Sequence, residues 1–585
     1  MGIVSVATTT AVVLGLGLWP AGVAGRDGDS QCTDSALDNN NGTPLDRARH
    51  VRNTRKKLTD TEFRASRNTC QDGSNSDWSS AARFHKTLPH DDLGQVLPEA
   101  FDTLVECIAE GKFDTCETVP QGDPSGFLAN PLGGISVGMA GPASTAVGCP
   151  AVPPLDSTEL AAQLAEVYWM SLTRDVPFSK YGEHDDTVAA AANLAGMPGF
   201  LEMGGVSVGA DGSVDPFAQL FRSSFVGVET GPMVSQLLLS SYTMDSLDVV
   251  PKQSTFAPGV DYMTDYDSWL DIQNGAAPDS PEEMDSEKRY IRNARDLARL
   301  VATDTIWTEA FRGALVLMDQ GAFSRGGTNG PYADSTRQRG FVDFGVSHLM
   351  KTFASLELSQ KSSWYQKWNV HLFARPEAVA GTLHNVMNGL LDVELDASLV
   401  DNEELLGRVA AHNAVQNEMR IGVPQETYLL SQATAGGSPS HPSYPAGHAV
   451  QNGAFGTVLK AFVGLERGGD CFSNPMYPDD DGMELLDWDG ECLTYEGEIN
   501  KLTTNVAFGR QMMGVHYRFD SHEGIIQGET IAVRRLHQEL VGLPEDHFYE
   551  FNLFTGETIK LDYDGKFYID GNLCSGAAFT GVDNC

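Results

Sequence analysis

The chain reads as all-α, a set of helix bundles closed by a small β-hairpin appendage at the C-terminus. Three observations carry this reading. Apolar residues recur at helical spacing over most of 96–545. Gly- and Pro-rich pieces at 129–153, 196–215 and 320–332 interrupt them as loops. Only the tail, 546–585, alternates aromatic and aliphatic with polar side chains. At 585 residues the chain can fill several hydrophobic cores, a soft prior of roughly four domains of ~150 residues.

Taken in order, residues 1–25 have the form of a secretory signal peptide. A mostly apolar run from Val4 to Trp19 is followed by Ala21, Gly22, Val23, Ala24 and Gly25, with cleavage expected near Ala24 or Gly25. No Lys or Arg precedes the run, so a buried N-terminal helix or an organellar targeting segment stays an alternative. Residues 26–95, rich in Asp, Asn and Ser with a basic patch at Arg55, Lys56 and Lys57, read as an extended arm. The N-terminal helical region, 96–320, opens one helix with a capping-box pattern at Asp156-Ser-Thr-Glu159, and Leu160, Leu164, Val167 and Tyr168 follow at helical spacing. Ile291, Ala294, Leu297, Ala298 and Val301 predict another packed helix within 286–318. Residues 321–545 form the second helical region. In the tail, Thr555-Gly556 and Asp564-Gly565 are hairpin turns between short strands.

Lys and Arg number 40 against 79 Asp and Glu, a net charge of −39, which argues against nucleic acid and anionic membranes as partners. After Trp19 no stretch reaches the ~18 apolar residues of a membrane span. The nine cysteines include no CxxC, so a zinc ribbon or thioredoxin-type site is unsupported. Cys107/Cys116, Cys471/Cys492 and Cys574/Cys585 are close enough in sequence to pair in an oxidising compartment, and the odd count leaves at least one thiol free or paired between chains.

Three segments place a cation or imidazole beside a backbone breaker. In Lys367-Trp-Asn-Val-His-Leu-Phe-Ala-Arg375-Pro376, the proline disfavours helix at Arg375 and sets its guanidinium at a helix end. In His441-Pro-Ser-Tyr-Pro-Ala446-Gly447-His448, an amphipathic run follows, so Gly447 and His448 lie at a helix N-terminus, where free amides favour an anion. In Arg510-Gln-Met-Met-Gly-Val-His516-Tyr-Arg-Phe-Asp520, the i,i+4 carboxylate can orient the imidazole. Singly, these are solvated charges, a capped loop and a structural hydrogen bond. Together they supply three cations, a helix N-terminus and two imidazoles, a set suited to an oxyanion.

The combination resembles the vanadium-dependent haloperoxidases, the algal bromoperoxidases above all, and more distantly the PAP2 acid phosphatases; the likeness covers about 290–540. The resemblance implies a helical-bundle fold and a vanadate cofactor. In it, His516 bonds vanadium, and Lys367, Arg375, Arg510 and the Gly447 amide bind the vanadate oxygens. His448 is the acid–base group, Lys367 polarises the bound peroxide, and Asp520 orients His516 from behind. It also implies hydrogen peroxide, halide and small organic acceptors as partners, and a homo-oligomer, either a dimer or a dodecamer. His441 and Trp364 stand at positions tied to halide selectivity. His441 follows the algal pattern and Trp364 that of the chloroperoxidases, so bromide and iodide oxidation is expected, with chloride at acid pH. There the indole N–H is expected as a donor beside the peroxide and the His441 imidazole as a group titrating near about 6.5.

One departure stands out: the family's Ser two residues before the acid–base His is Ala446 here. A missing charge-assisted donor costs about 1.5–3 kcal/mol, or roughly 10- to 150-fold in affinity. Ser443 is the nearby hydroxyl. Two other functions compete: a phosphomonoesterase with His516 as nucleophile, and a non-enzymatic relative that lost vanadate through Ala446. Loops such as 327–338 are candidates for calcium or magnesium, without ligand spacing that compels either.

Overall fold

The computed structural model describes residue 53 and residues 80–585, apart from 137–140, 304, 324–329, 333–334, 546, 575–578 and 580–585. The leader 1–25, the basic patch of the arm and Cys585 therefore lie outside the described residues. The described end of the arm lies on the body: the Phe84 amide donates to Leu372 O at 2.8 Å and the Thr87 amide to Gln273 O at 2.7 Å.

Helices dominate, and the centre of the body is the Gly447–Val463 helix, every residue of which is buried. It packs along the Arg518–Leu540 helix and against Tyr495–Met512. Glycine allows that approach. A Cβ on Gly528 would lie 2.0 Å from Val450 O, and one on Gly453 would lie 2.4 Å from Ile525 O. The two backbones are therefore in contact, which fixes the ends of both helices relative to each other. One apolar core runs outward from this pair and takes side chains from both helical regions, including Leu164, Leu297, Val458, Leu502 and Leu536.

Two local expectations change. The Thr158–Leu172 helix forms, but Ser157 caps it in place of Asp156, accepting from the Leu160 amide at 3.2 Å. The single helix expected in 286–318 is a strand and two helices: Met284–Arg289, Ala294–Leu300 and Thr308–Asp319. The strand pairs antiparallel with Gln253–Phe256, and Asn293 then caps the first helix by accepting from the Asp296 amide at 2.9 Å. The predicted apolar stripe starts only at Ile291, so the polar residues before it had nothing to bury as a helix.

The tail forms the expected β-appendage, a four-stranded antiparallel meander of Phe548–Asn552, Thr558–Asp562, Phe567–Ile569 and Asn572–Leu573, with Thr555-Gly556 and Asp564-Gly565 in its first two turns. Its inner face buries Tyr549, Phe551, Ile559 and Leu561, and Tyr549 stacks on Phe462 of the central helix at 5.6 Å between centroids. Short two-stranded ribbons at Tyr242–Val249 and Met476–Asp487 carry no comparable sequence signal. Disulfides join Cys107 to Cys116 and Cys471 to Cys492. Among the described residues, no helix is long and apolar enough to cross a membrane.

Candidate active site

The three sequence segments meet at the N-terminal ends of the two central helices. Lys367 lies in a π-helical turn, Gln366–His371, that ends at Leu372 with φ 45°. Its ammonium is fully buried and donates to Pro442 O at 2.8 Å and Ser443 O at 2.6 Å. Arg375 is the extended residue before the Pro376–Met387 helix, where the proline was expected to put it. Its Nε donates to His441 O at 3.0 Å and its Nη1 to Val515 O at 2.8 Å, while Nη2 lies 3.0 Å from His441 Nδ1. Arg510, near the end of the Tyr495–Met512 helix, donates from Nη1 to Val301 O at 2.8 Å.

His516 stands just before the Arg518–Leu540 helix, and its Nδ1 lies 2.6 Å from Asp520 Oδ2. A carboxylate only accepts, so Nδ1 carries the proton and Nε2 keeps its lone pair, 2.9 Å from Arg375 Nη1. Asp520 Oδ2 also accepts from the Ser443 hydroxyl and, at 3.2 Å, from the Tyr517 amide. Ala446 caps the central helix with no side-chain bond, and Gly447 opens it, so the first-turn amides point toward this cluster. A Cβ on Gly447 would meet Gln360 Oε1 at 3.0 Å and Trp364 Cζ3 at 3.3 Å. His448 Nε2 lies 3.3 Å from Thr303 O, so Nε2 is the N–H and Nδ1 is left as the basic atom.

The electrostatics follow from crowding cations in a dry place. Burial, then Arg375, holds Lys367 well below the usual ammonium range. Burial, then Arg510, lowers Arg375 to about 9. Burial, then the neighbouring cations, keeps His448 and His516 neutral and well below their ordinary values. Burial raises Asp520 to about 6 against the opposing pull of Ser443 and the cations. An oxyanion placed among these groups relieves every one of the cation repulsions. The donor set fits vanadate: cationic donors, helix amides, and an imidazole nitrogen with an oriented lone pair. The Ser443 hydroxyl, spent on Asp520, does not take the place of the one missing at Ala446.

Two expectations are corrected. The Trp364 indole N–H donates to Ala129 O at 3.2 Å, so the side chain offers the site its ring, tilted at 42° to His441 with 4.7 Å between centroids, and not a donor. His441 is pushed well below its ordinary value by burial, then by Arg375 and Lys367, which moves its titration far below the expected neighbourhood of 6.5. Sequence reasoning also passed over three contributors. Gln360, one helical turn before Trp364 and facing the same glycine, was findable from spacing. The carbonyl of Thr303 was not. Neither was the buried Lys86–Glu377 pair at 2.6 Å, which ties the described end of the arm to the turn after Arg375. Among the described residues, no three His, Cys, Asp or Glu side chains cluster to hold a metal ion such as calcium or magnesium, and loop 327–338 is only partly described.

Comparison with known proteins agrees with the geometry. Residues 403–541 match the VCPO second helical-bundle domain. The chain is 59% identical over 515 residues to a vanadium-dependent bromoperoxidase of Ascophyllum nodosum, covering 87% of this chain and 92% of that one. It is 30% identical over 571 residues to a vanadium-dependent bromoperoxidase of Corallina pilulifera, covering 84% and 92%. The fold superposes with a TM-score of 0.86 on the homohexameric second vanadate-dependent bromoperoxidase (AnII) of Ascophyllum nodosum, at 39% identity over 94% of this chain and 97% of that one. A site of buried cations around an oriented imidazole, carried on a fold and a sequence shared across almost the whole chain, places this protein in the vanadium-dependent haloperoxidase family.

Proposed function

We propose that the protein is a vanadium haloperoxidase that oxidises bromide and iodide, and chloride at acid pH, with hydrogen peroxide. Halide, peroxide and one proton give hypohalous acid and water, and the hypohalous acid halogenates small organic acceptors. The observation that carries this reading is His516 Nε2 with its lone pair turned toward Arg375 Nη1 at 2.9 Å, beside two further buried cations and a helix N-terminus. His516 would bond the metal, and Lys367, Arg375, Arg510 and the Gly447 amide would hold its oxygens. Bound vanadate supplies a Lewis acid that activates peroxide without changing oxidation state. His448 Nδ1 accepts the peroxide proton, because Thr303 O holds the ring's only N–H elsewhere. Lys367, desolvated and pinned by two carbonyls, polarises the oxygen that halide attacks. Trp364 excludes water with its ring face, which lowers the cost of desolvating halide.

Homo-oligomerisation is part of the proposal. It is supported by the homohexameric relative, which lends no weight to the dimer or dodecamer expected from the resemblance. So is export through the leader 1–25, which two disulfides suit. The test is apo-protein treated with orthovanadate, then assayed for bromination and for p-nitrophenyl phosphate hydrolysis. Vanadate-dependent bromination is expected. Phosphatase activity without it, or neither activity, would overturn the reading in favour of a phosphomonoesterase or a non-enzymatic relative that lost vanadate through Ala446.

A further inference from the structure

Ser443 sits where the two halves of the site join. Its amide donates to Phe373 O at 2.9 Å, and its carbonyl accepts from Lys367 Nζ at 2.6 Å. Its hydroxyl donates to Asp520 Oδ2, the oxygen that also receives His516 Nδ1 at 2.6 Å and the Tyr517 amide at 3.2 Å. The other carboxylate oxygen, Oδ1, is buried and has no hydrogen-bond partner among the described residues. One oxygen thus takes three donors, and the direction of the carboxylate is set by those three alone. The hydroxyl is the donor that comes from another part of the chain, 77 residues before Asp520. The Ala446 amide of the same loop donates to the Asp520 backbone O at 2.9 Å, so the hydroxyl is the bond from that loop that reaches the Asp520 side chain and through it registers the His516 ring.

We propose that Ser443 is a positioning residue for the vanadium ligand: its hydroxyl aims Asp520, and Asp520 aims His516. This rests on the reading of His516 as the group that bonds vanadium. The serine side chain does not meet the anion, because its proton is already given to Asp520. Replacing it by alanine removes one atom and leaves both backbone contacts, so Lys367 keeps its carbonyl. Loss of such an outer hydrogen bond typically lowers metal affinity on the order of 10–100-fold.

The experiment is equilibrium dialysis of the apo-protein against orthovanadate, with five variants beside wild type, Ala446→Ser among them as the reference for its own background. Ser443→Ala is expected to bind vanadate more weakly, on the order of 10–100-fold. Ser443→Thr, which keeps a hydroxyl, is expected to recover most of that loss, which a merely structural role for the position would not produce. Ser443→Ala in an Ala446→Ser background is expected to lose the same factor as in wild type, since the two hydroxyls serve different partners. Collapse of the loss in that background would mean that Ser443 turns to the anion in place of the absent 446 hydroxyl, and would overturn the proposal. So would unchanged affinity in Ser443→Ala while His516→Ala loses vanadate. Retention of vanadate by His516→Ala would instead overturn the ligand assignment itself.

Discussion

Adding the missing hydroxyl, Ala446→Ser, tests the anion geometry most sharply, because the structure gives that hydroxyl two distinct employments. Ala446 is the N-cap of the central helix, extended at φ −66° and ψ 121°, with no side-chain cap bond. It is fully buried against Phe225, Val228, Ala449 and Phe508. A hydroxyl left unsatisfied there would cost about 1–3 kcal/mol. As an N-cap it accepts from a first-turn amide, a gain of about 0.5–2 kcal/mol, and its own proton stays free to donate. In the apo-protein the two terms nearly cancel, so the unfolding midpoint should scarcely move. With an oxyanion over the helix N-terminus, the donated bond is charge-assisted and contributes about 1.5–3 kcal/mol, which is roughly 10- to 150-fold tighter vanadate binding. Both quantities come from one preparation: thermal unfolding without vanadate, then dialysis against it. A stabilised apo-protein with unchanged affinity would refute the reasoning, since the hydroxyl would then be capping a helix whose end no anion approaches. Weaker binding would show that another group already fills the position.

Other substitutions probe the remaining parts. His516→Ala should abolish vanadate retention, whereas His448→Ala should keep vanadate and lose turnover; normal turnover of a vanadium-loaded His448 variant would remove its acid–base role. Trp364→Arg should depress chloride turnover more than bromide turnover at matched vanadium content, and an unchanged ratio of the two would dismiss the ring as a desolvating wall. Gly528→Ala puts a Cβ 2.0 Å from Val450 O, so denaturant titration should show a loss of about 1–3 kcal/mol or more. Buried His441, His448 and His516 all have lowered values, so the folded apo-protein declines protons that the unfolded chain takes up below about 6.5. Its stability should therefore fall as pH drops from 6.5 to 5, by up to about 1.4 kcal/mol per pH unit for each group, with Asp520 opposing over part of that range. A flat unfolding midpoint across that interval would contradict the burial of these rings.

The sequence made the site legible because its chemistry is local: Arg375 before Pro376, Gly447 and His448 at a helix start, and Asp520 one turn beyond His516 are short-range patterns with local physical causes. What it hid depends on distance along the chain. Lys86 meets Glu377 across 291 residues, and Thr303 O meets His448 across 145, through bonds that leave no periodic trace. The same holds for direction. Position alone put Trp364 beside the site, but whether its N–H or its face looks inward was decided by the carbonyl of Ala129, far away in sequence. Secondary structure failed where pairing overrode pattern: Met284–Arg289 is a strand because Gln253–Phe256 lies alongside it.

The bonds that hold Lys367 and Arg375 end on the carbonyls of Pro442, Ser443, His441 and Val515 and on imidazoles, not on carboxylates. A dipole steadies a cation without cancelling it. An arriving anion therefore has no ion pair to break at either group; at Arg375 it displaces only the contacts to the His516 and His441 imidazoles, and the backbone carbonyls keep both cations in place. The site is in this sense built as a dock, with its moorings fixed to the quay.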